Sequence, residues 1–319
     1  MKLLLFLLFT VVNHVELVGG RSVCAVALLT CQKGEEFVAV GNVACVFAYL
    51  ANGVEKGAAV FDYNGALGKE VVDRLDQRGV NTEFVLHTAA GGIGKWMVIL
   101  NENGDVAGEI SCPPDMKPLS EFINSYGSVF VRDAEQIILE VDIGEETAEK
   151  VISLAEKHGK KVYPIVGNLH VLKKRQDLIS RTSCFICNQH EIGQLFGDDY
   201  SRFTPDDLLP VLVQEVNARN YPSTVVTMGE KGCIFYDKEN GTWGSVPAIP
   251  TKLVDSTGAG DAFLSGTVIG LSKGLVLREA IEIGTRLASL TIGSGESSCP
   301  ENEIVKNYFC EKEAAEKHA

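Results

Sequence analysis

The chain has 319 residues, of which 45% are hydrophobic and 22% are charged, as is ordinary for one large globular domain with a buried core. Its formal net charge of -13 argues against nucleic acid or an anionic membrane as the main partner, because both require a basic binding surface. An acidic chain can still bind a phosphorylated small molecule through backbone N–H groups and a metal ion.

The N-terminal segment MKLLLFLLFTVVNHVELVGG allows two interpretations. One lysine, an apolar run and the small residues Gly19 and Gly20 are typical of a secretory signal peptide, which would predict a secreted protein. An apolar run is equally typical of a strand buried in a parallel sheet, and this one is too short to span a membrane. The run alone does not decide between them; the motifs at the other end of the chain and the scattered cysteines lead us to favour the strand and to expect a cytoplasmic protein.

The first 120 residues predict small elements without a regular alternation. Residues 45–54 and 68–80 predict helices, each followed by the small-residue signal expected after a helix end. Residues 95–111 predict a β-hairpin, because alternating segments flank Asn103-Gly104, a favoured hairpin turn. We expect a small antiparallel lid, with lid segments around 14–40 and 84–112.

From about residue 125 onward, strands and helices alternate. Strands are predicted at 135–141, 160–166, 184–188 and 223–229, helices at 145–159, 205–219 and 277–292, and a hairpin between 232 and 247. This alternation predicts an α/β fold: an open, mostly parallel sheet covered by helices on both faces. Without an internal repeat or a low-complexity linker, we expect residues 1–319 to form a single domain with its lid.

The nine cysteines and six histidines suggest no metal centre. The cysteines are scattered and odd in number, which favours reduced thiols. Cys184 and Cys187 lie in the apolar segment SCFICN, so packing within a strand is favoured over a metal or redox role. The histidines lack metal-ligand spacing, and we predict no zinc site.

The segment DSTGAGDAFLSG, residues 255–266, is the most informative. We expect it between a strand near 251–255 and a helix from about 260, where ligands bind in open parallel sheets. Glycine costs a helix roughly 1 kcal/mol relative to alanine, but bare backbone lets an anion approach the first-turn N–H groups. Asp261 would stand beside that anion, either as a helix cap or as a base for a hydroxyl that attacks it.

Three spaced motifs carry a resemblance to a known family. DSTGAGDAF resembles the DTxGAGDxF signature of the ribokinase-like (PfkB) family of sugar and nucleoside kinases, with Ser256 where threonine is usual. NQHE at 188–191 is similar to the family's NxxE, and VTMGEKG at 226–232 is similar to its TxGxxG nucleotide turn. Residues 60–82 resemble an early segment of the family.

The resemblance implies a kinase that transfers the γ-phosphoryl group of ATP to a primary hydroxyl of a sugar or ribonucleoside. Asp261 would be the base, with Gly258, Ala259 and Gly260 stabilising the transferring group. Asn188 and Glu191 would act near the triphosphate and Mg²⁺, with Glu191 binding the ion through water. The alternative interpretation of these two residues is a helix cap followed by an acid in the first turn. The other implied residues are Thr227, Gly229 and Gly232 along the nucleotide, and Asp255 with carbonyls of the loop at 293–298 around a monovalent cation such as K⁺.

The acceptor positions depart from the family pattern. Asn13 stands where an aspartate is usual. Of the family's Gly-Gly pair, Gly41 is retained and Asn42 replaces the second glycine; Val46 replaces the asparagine that follows in the helix. The loss of polar groups disfavours a free sugar, whereas a nucleoside base could pack on the hairpin at Lys95. We therefore expect a nucleoside acceptor; a catalytically weak nucleotide-binding or regulatory protein is the alternative. The lid is also a candidate homodimer surface.

Overall fold

A five-stranded parallel sheet forms the first half of the fold. The computed structural model describes residues 115–134, 136–167, 169–254, 256 and 258–294, and, nearer the N-terminus, the backbone of seven strands. The sheet has the order β5-β4-β1-β8-β9, with β1 Leu3–Leu7, β4 Ala58–Phe61, β5 Val85–His87, β8 Gln136–Glu140 and β9 Lys161–Ile165. Every pairing in it is parallel.

A four-stranded sheet continues from β9. Its strands in order are β10 Cys184–Asn188, β11 Ser223–Thr227, β12 Cys233–Asp237 and β13 Thr242–Val246. β10 and β11 are parallel, whereas β12 and β13 add an antiparallel hairpin, as the sequence predicted. The Ser183 N–H donates to the Val162 carbonyl at 2.8 Å, so the two sheets adjoin along β9 and β10.

A separate sheet contains the predicted hairpin. Its order is β3-β2-β6-β7, with β2 Thr10–Val15, β3 Ser22–Val26, β6 Gly94–Leu100 and β7 Val106–Cys112. The β2–β3 and β6–β7 pairs are antiparallel, and β2 joins the hairpin through a parallel pairing with β6. The predicted fold class is therefore confirmed: an open, mostly parallel sheet with helices and a second, mainly antiparallel sheet.

Seven α-helices occur among the described residues. They are α1 Lys117–Asp133, α2 Glu145–Lys157, α3 His170–Lys174, α4 Gln189–Phe196, α5 Pro205–Ala218, α6 Ala259–Ser272 and α7 Leu277–Gly293. The sequence analysis did not predict α1, although Leu119, Ile123 and Val131 give it a buried face. Gly127 lets α1 approach α2, since a Cβ there would lie 3.0 Å from Leu154 Cδ1.

The N-terminal apolar run forms strands, as the favoured interpretation expected. β1 lies between β4 and β8 in the parallel sheet. Two predicted helices, at 45–54 and 68–80, lie outside the described residues. No described helix is long and apolar enough to cross a membrane.

The strand predicted near 251–255 is wrong over its described residues, 251–254. Residues 247–254 have no regular secondary structure, and Leu253 and Val254 are 64% and 56% exposed. β13 is the last strand of its sheet, and Pro247 and Pro250 interrupt the chain after it. Proline cannot donate a ladder hydrogen bond, which disfavours a strand in this segment.

Close helix packing fixes the start of α6. A Cβ on Gly266 would lie 2.7 Å from Gly284 Cα, and a Cβ on Gly284 would lie 2.4 Å from the Phe263 carbonyl oxygen. Side chains at these positions would force α6 and α7 apart. The contact holds α6 with its N-terminus at the edge where β9, β10 and β11 end.

Candidate active site

Five residues singled out from the sequence meet around one cavity. The cavity has a volume of about 100 Å³ and lies at the carboxyl ends of β9, β10 and β11, beside the N-terminus of α6. Its polar lining comprises Asn188, Glu191, Thr227, Gly260 and Asp261. Its apolar lining comprises Ile165, Val166, Ile186, Cys187 and Leu264. We call the five residues of the polar lining the phosphate side.

The start of α6 requires one glycine for its conformation and leaves space at another. Gly258 has φ +81°, a left-handed value that disfavours other residues. Its carbonyl accepts the Ala262 N–H at 2.9 Å, and the Ala259 N–H donates to the Ser256 carbonyl at 3.2 Å. A Cβ on Gly260 would meet nothing within 4 Å, so the fold does not require glycine there. The bare backbone at Gly260 leaves that space free for a ligand.

Asp261 is an acid with an unusual environment. The residue is half-buried, and its side chain reaches the cavity. This burial raises the pKa of Asp261 well above its ordinary value, and the nearby charge of Glu191 raises it further. A raised pKa brings a carboxyl closer to the pH range in which it can exchange protons as a general base.

Asn188 and Glu191 form a capping box at the start of α4. The Asn188 side-chain oxygen accepts the Glu191 N–H at 2.8 Å, and Glu191 Oε2 accepts the Asn188 N–H at 2.7 Å. Both residues nevertheless line the cavity. Burial raises the pKa of Glu191, although the Asn188 N–H opposes this shift. The helix-cap interpretation is thus correct, and it holds the two side chains at the cavity.

The nucleotide turn after β11 contains three residues with different environments. Thr227 lines the cavity. Gly229 has φ +59° and open space at its Cβ position. Gly232 has φ +85°, and a Cβ there would lie 2.1 Å from the Val246 carbonyl oxygen. The glycine at 232 is therefore required by packing against the end of β13, whatever the turn binds.

The sequence analysis missed two acids at the end of β8. Glu140 is 3% exposed, and its Oε1 accepts the Asp142 N–H at 2.9 Å. Burial raises the pKa of Glu140 well above its ordinary value, and the charges of Asp142 and Asp261 raise it further. The signal was available, because acids that directly follow an apolar strand are unusual in a buried parallel sheet.

The acceptor residues are only partly described. Asn13 lies in β2 opposite Met97 of β6, and Lys95 of the same strand lies opposite Val11. The structure thus brings Asn13 and Lys95 into neighbouring strands of the separate sheet. Gly41, Asn42 and Val46 lie outside the described residues, as does the candidate cation residue Asp255. We call the acceptor side the residues Asn13, Gly41, Asn42, Val46 and Lys95.

The fold and the motifs define the class of the protein: a phosphotransferase that acts on hydroxyl groups of small molecules. Residues 35–303 match the pfkB family of carbohydrate kinases, and the chain belongs to that family. It is therefore a sugar or nucleoside kinase, and the predicted resemblance is confirmed.

Relatives with known names differ in their acceptors. A guanosine-inosine kinase of Exiguobacterium acetylicum is 31% identical over 256 residues, which cover 80% of this chain and 83% of the relative. A ribokinase of Schizosaccharomyces pombe is 25% identical over 261 residues, covering 79% and 78%. Among solved structures, Arabidopsis thaliana ribokinase complexed with ribose and ATP has a TM-score of 0.73 at 18% identity, covering 92% of this chain and 93% of that one.

Proposed function

We propose that this kinase transfers the γ-phosphoryl group of ATP to a primary hydroxyl of a ribonucleoside. The observation that carries phosphoryl transfer is the meeting of Asn188, Glu191, Thr227, Gly260 and Asp261 around one cavity. Phosphoryl transfer needs little covalent chemistry from a protein; it needs positioning and neutralisation of charge. Here Asp261 supplies an acid, Gly260 supplies exposed backbone at the start of α6, and polar side chains at the ends of β10 and β11 face the same cavity.

Asp261 is the base in this proposal. The acceptor hydroxyl must lose its proton as it attacks the γ-phosphorus, and a carboxylate within hydrogen-bond reach can accept that proton. The raised pKa of Asp261 suits this task. Its position in the first turn of α6 would place the attacking oxygen next to the transferring group.

The start of α6 would bind the transferring group. Gly258, Ala259 and Gly260 supply backbone at the positive end of a 14-residue helix, where N–H groups stabilise negative charge on oxygen. The open space at Gly260 allows a phosphoryl oxygen to approach. Thr227 and Gly229 would line the nucleotide on the same side, and Gly232 would hold their turn on β13.

Magnesium fits the phosphate side through oxygen donors. The described residues contain no cluster of three or more metal-ligating side chains. Mg²⁺ keeps several waters and is usually bound through one or two carboxylates plus phosphates. Glu191 would therefore hold it through water, and Asn188 would position the triphosphate beside it. Asp255 remains our proposal for a K⁺ site.

A nucleoside is favoured over a free sugar for two reasons. The Val46 side chain cannot form a hydrogen bond and Asn13 lacks the charge of the usual acid, so hydrogen bonding to sugar hydroxyls is weakened; Asn42 adds a side chain where the family pattern has a glycine. The guanosine-inosine kinase is a relative along most of the chain, which supports a purine nucleoside. A purine base offers apolar surface that compensates for lost hydrogen bonds.

The test is to identify the product. The protein is incubated with ATP, Mg²⁺ and, separately, guanosine, inosine, adenosine, pseudouridine, ribose and fructose, and the phosphorylated product is identified by mass. We expect nucleoside 5′-monophosphate from at least one nucleoside, dependent on Asp261. Phosphorylation of ribose or fructose alone would refute the nucleoside proposal. Nucleotide binding without any product would favour the regulatory alternative.

A further inference from the structure

One backbone carbonyl connects the two motifs that are proposed to bind the nucleotide. The Phe203 oxygen accepts a hydrogen bond from Gln189 Nε2 at 3.1 Å and another from Lys231 Nζ at 3.0 Å. Gln189 is the first residue of α4 and directly follows Asn188 of the NQHE motif. Lys231 lies in the nucleotide turn, directly before Gly232. We call Gln189, Lys231 and the Phe203 carbonyl the motif joint.

The pairing of strands alone does not fix the spacing of the two motifs. The parallel ladder between β10 and β11 ends where Asn188 lies opposite Thr227. Beyond that point the first motif continues into α4, and the second into the 3₁₀-helix Gly229–Lys231 and the antiparallel strand β12. The motif joint lies beyond the end of the ladder, so it can hold the two motifs at one spacing.

The loop that supplies the shared carbonyl is itself held in place. Residues 197–204 connect α4 with α5. The Phe203 N–H donates to the Tyr200 carbonyl at 2.9 Å, and the two rings meet edge to face with their centroids 5.1 Å apart. Tyr200 is buried, Gln189 Nε2 also donates to its carbonyl, and Thr204 caps α5. The Phe203 carbonyl is therefore a fixed point for both side chains.

The lysine of the motif joint can restrict a turn that its glycines leave adaptable. Gly229 has φ +59° and open space at its Cβ position, and glycine permits more backbone conformations than other residues. A bond from an ammonium group to a carbonyl is charge-assisted and stronger than a neutral one. A carbonyl oxygen has two lone pairs, so Phe203 can accept from Lys231 and Gln189 together.

We propose that Gln189 and Lys231 are positioning residues that hold the nucleotide turn against the start of α4 and thereby set the spacing across which ATP binds. The first motif would contact the triphosphate and Mg²⁺, and the second would line the nucleotide. A spacing set before binding reduces the ordering that ATP must otherwise impose. This inference rests on the proposed function for the place of the nucleotide.

The variants Lys231→Met and Gln189→Met test the motif joint. Each removes one donor and keeps an unbranched side chain. We expect the KM for ATP to rise about fivefold to tenfold in each, the range for a lost hydrogen bond. The KM for the acceptor should stay within about twofold of wild type, because the acceptor side lies on other elements. Lys231→Arg keeps a charged donor, so its KM for ATP should rise less than about threefold.

The double variant shows whether the two donors act through one oxygen. We expect its rise in the KM for ATP to be smaller than the product of the two single rises, because the second donor holds little once the first is lost. An effect of Lys231→Met with none from Gln189→Met would mean that Lys231 contacts the nucleotide directly, which would overturn the proposal. Equal rises of both KM values, or independent effects in the double variant, would also overturn it.

Lys238→Met is the matched control. Lys238 directly follows β12, whereas Lys231 precedes it. Its Nζ donates to the Tyr221 carbonyl and to Asn220 Oδ1, both at 2.9 Å. The variant thus removes a comparable contact at the other end of the same strand. We expect lower stability with both KM values within about twofold of wild type; a rise in the KM for ATP equal to that of Lys231→Met would contradict the proposal.

Calorimetric titration with ADP supplies a readout that needs no acceptor. We expect the affinity for ADP to fall in Lys231→Met and Gln189→Met by about the same factor as the KM for ATP rises, and to be unchanged in Lys238→Met. Unchanged ADP affinity in both motif-joint variants would overturn the proposal. If wild type proves to phosphorylate a free sugar, the nucleoside proposal fails, whereas this titration still decides the motif joint.

Discussion

The phosphate side and the acceptor side of this site differ in how closely they follow the family pattern. On the phosphate side, the motif residues lie together around one cavity. On the acceptor side, Asn13, Asn42 and Val46 depart from that pattern. Every member of such a family handles the same phosphoryl group, whereas each must recognise its own acceptor. The chemistry therefore follows from the phosphate side, and the substrate must be sought in the departures.

The largest effect is expected from Asp261→Asn. An amide cannot accept the hydroxyl proton, so kcat should fall by about two orders of magnitude or more while ATP affinity changes little. Thermal unfolding should occur at a higher temperature at neutral pH, because a half-buried acid with a raised pKa destabilises the fold as pH rises above the pKa of the same acid in the unfolded chain. Steady-state kinetics, nucleotide titration and calorimetry test these points. Full turnover in the variant would remove the carboxylate from the mechanism.

A smaller effect on rate is expected from Gly260→Ala. The added methyl meets no protein atom within 4 Å, so the fold should be retained, but it would occupy the space proposed for a phosphoryl oxygen. We expect kcat to fall about tenfold or more, as when one oxyanion donor is displaced, with an unchanged or slightly higher melting temperature.

The control for that variant is Gly284→Ala. Its Cβ would lie 2.4 Å from the Phe263 carbonyl oxygen, so we expect a loss of about 1–3 kcal/mol in stability from overpacking. If Gly260→Ala instead lowers the stability and leaves kcat unchanged, the role of Gly260 is structural and not in binding the phosphoryl group.

The predicted strands and helices beyond residue 135 were recovered because their apolar periodicity is local. The strands β8–β13 and the helices α2, α5 and α7 follow from it directly. The loop at 247–254 was missed because Leu253 and Val254 have the apolar character of a strand, and the sequence does not reveal that none of the described strands pairs with them. Helix α1 was missed although its buried face at Leu119 and Ile123 can be read in the sequence.

For the site, too, the sequence predicts the residues in local motifs and misses contacts that depend on the tertiary structure. Asp261, Asn188 and Glu191 could be found because motif spacing identifies them. Glu140 was missed although an acid at the end of an apolar strand is visible in the sequence; only the structure shows its close approach to Gly167, which lies 27 residues away and is brought near by the pairing of β8 with β9. Gly232 was assigned to the nucleotide, but only the structure shows that β13 occupies its Cβ position.

Replacing Val46 by the asparagine usual in the family tests whether this position lowers the affinity for a free sugar. Val46→Asn adds a hydrogen-bonding group where the family usually has one. We expect the affinity for free ribose to rise by up to about tenfold, the range for one hydrogen bond to a buried hydroxyl. Calorimetric titration with ribose measures this. An unchanged ribose affinity, with nucleoside binding also unchanged, would mean that position 46 does not face the acceptor.

The smallest effect is expected in the pH dependence of kcat, compared between wild type and Glu191→Gln. Because burial and Glu191 raise the pKa of Asp261, the acid limb of the kcat profile should lie above the ordinary aspartate value of about 3.9. Glu191→Gln removes the negative charge that raises the pKa of Asp261, so the acid limb of the kcat profile should move to lower pH. Binding of Mg²⁺ would act in the same direction, and the profile is therefore measured at saturating Mg²⁺. A limb that moves to higher pH would contradict the assigned coupling.

The central claim is that an unaltered phosphate side serves a nucleoside acceptor. Internal competition tests it most directly: inosine and ribose at equal concentration share one reaction with ATP, and the ratio of their phosphorylated products gives the ratio of kcat/KM. With two or more sugar contacts missing, at about tenfold each, we predict a preference for inosine of about a hundredfold or more. A product mixture dominated by ribose phosphate would contradict the account.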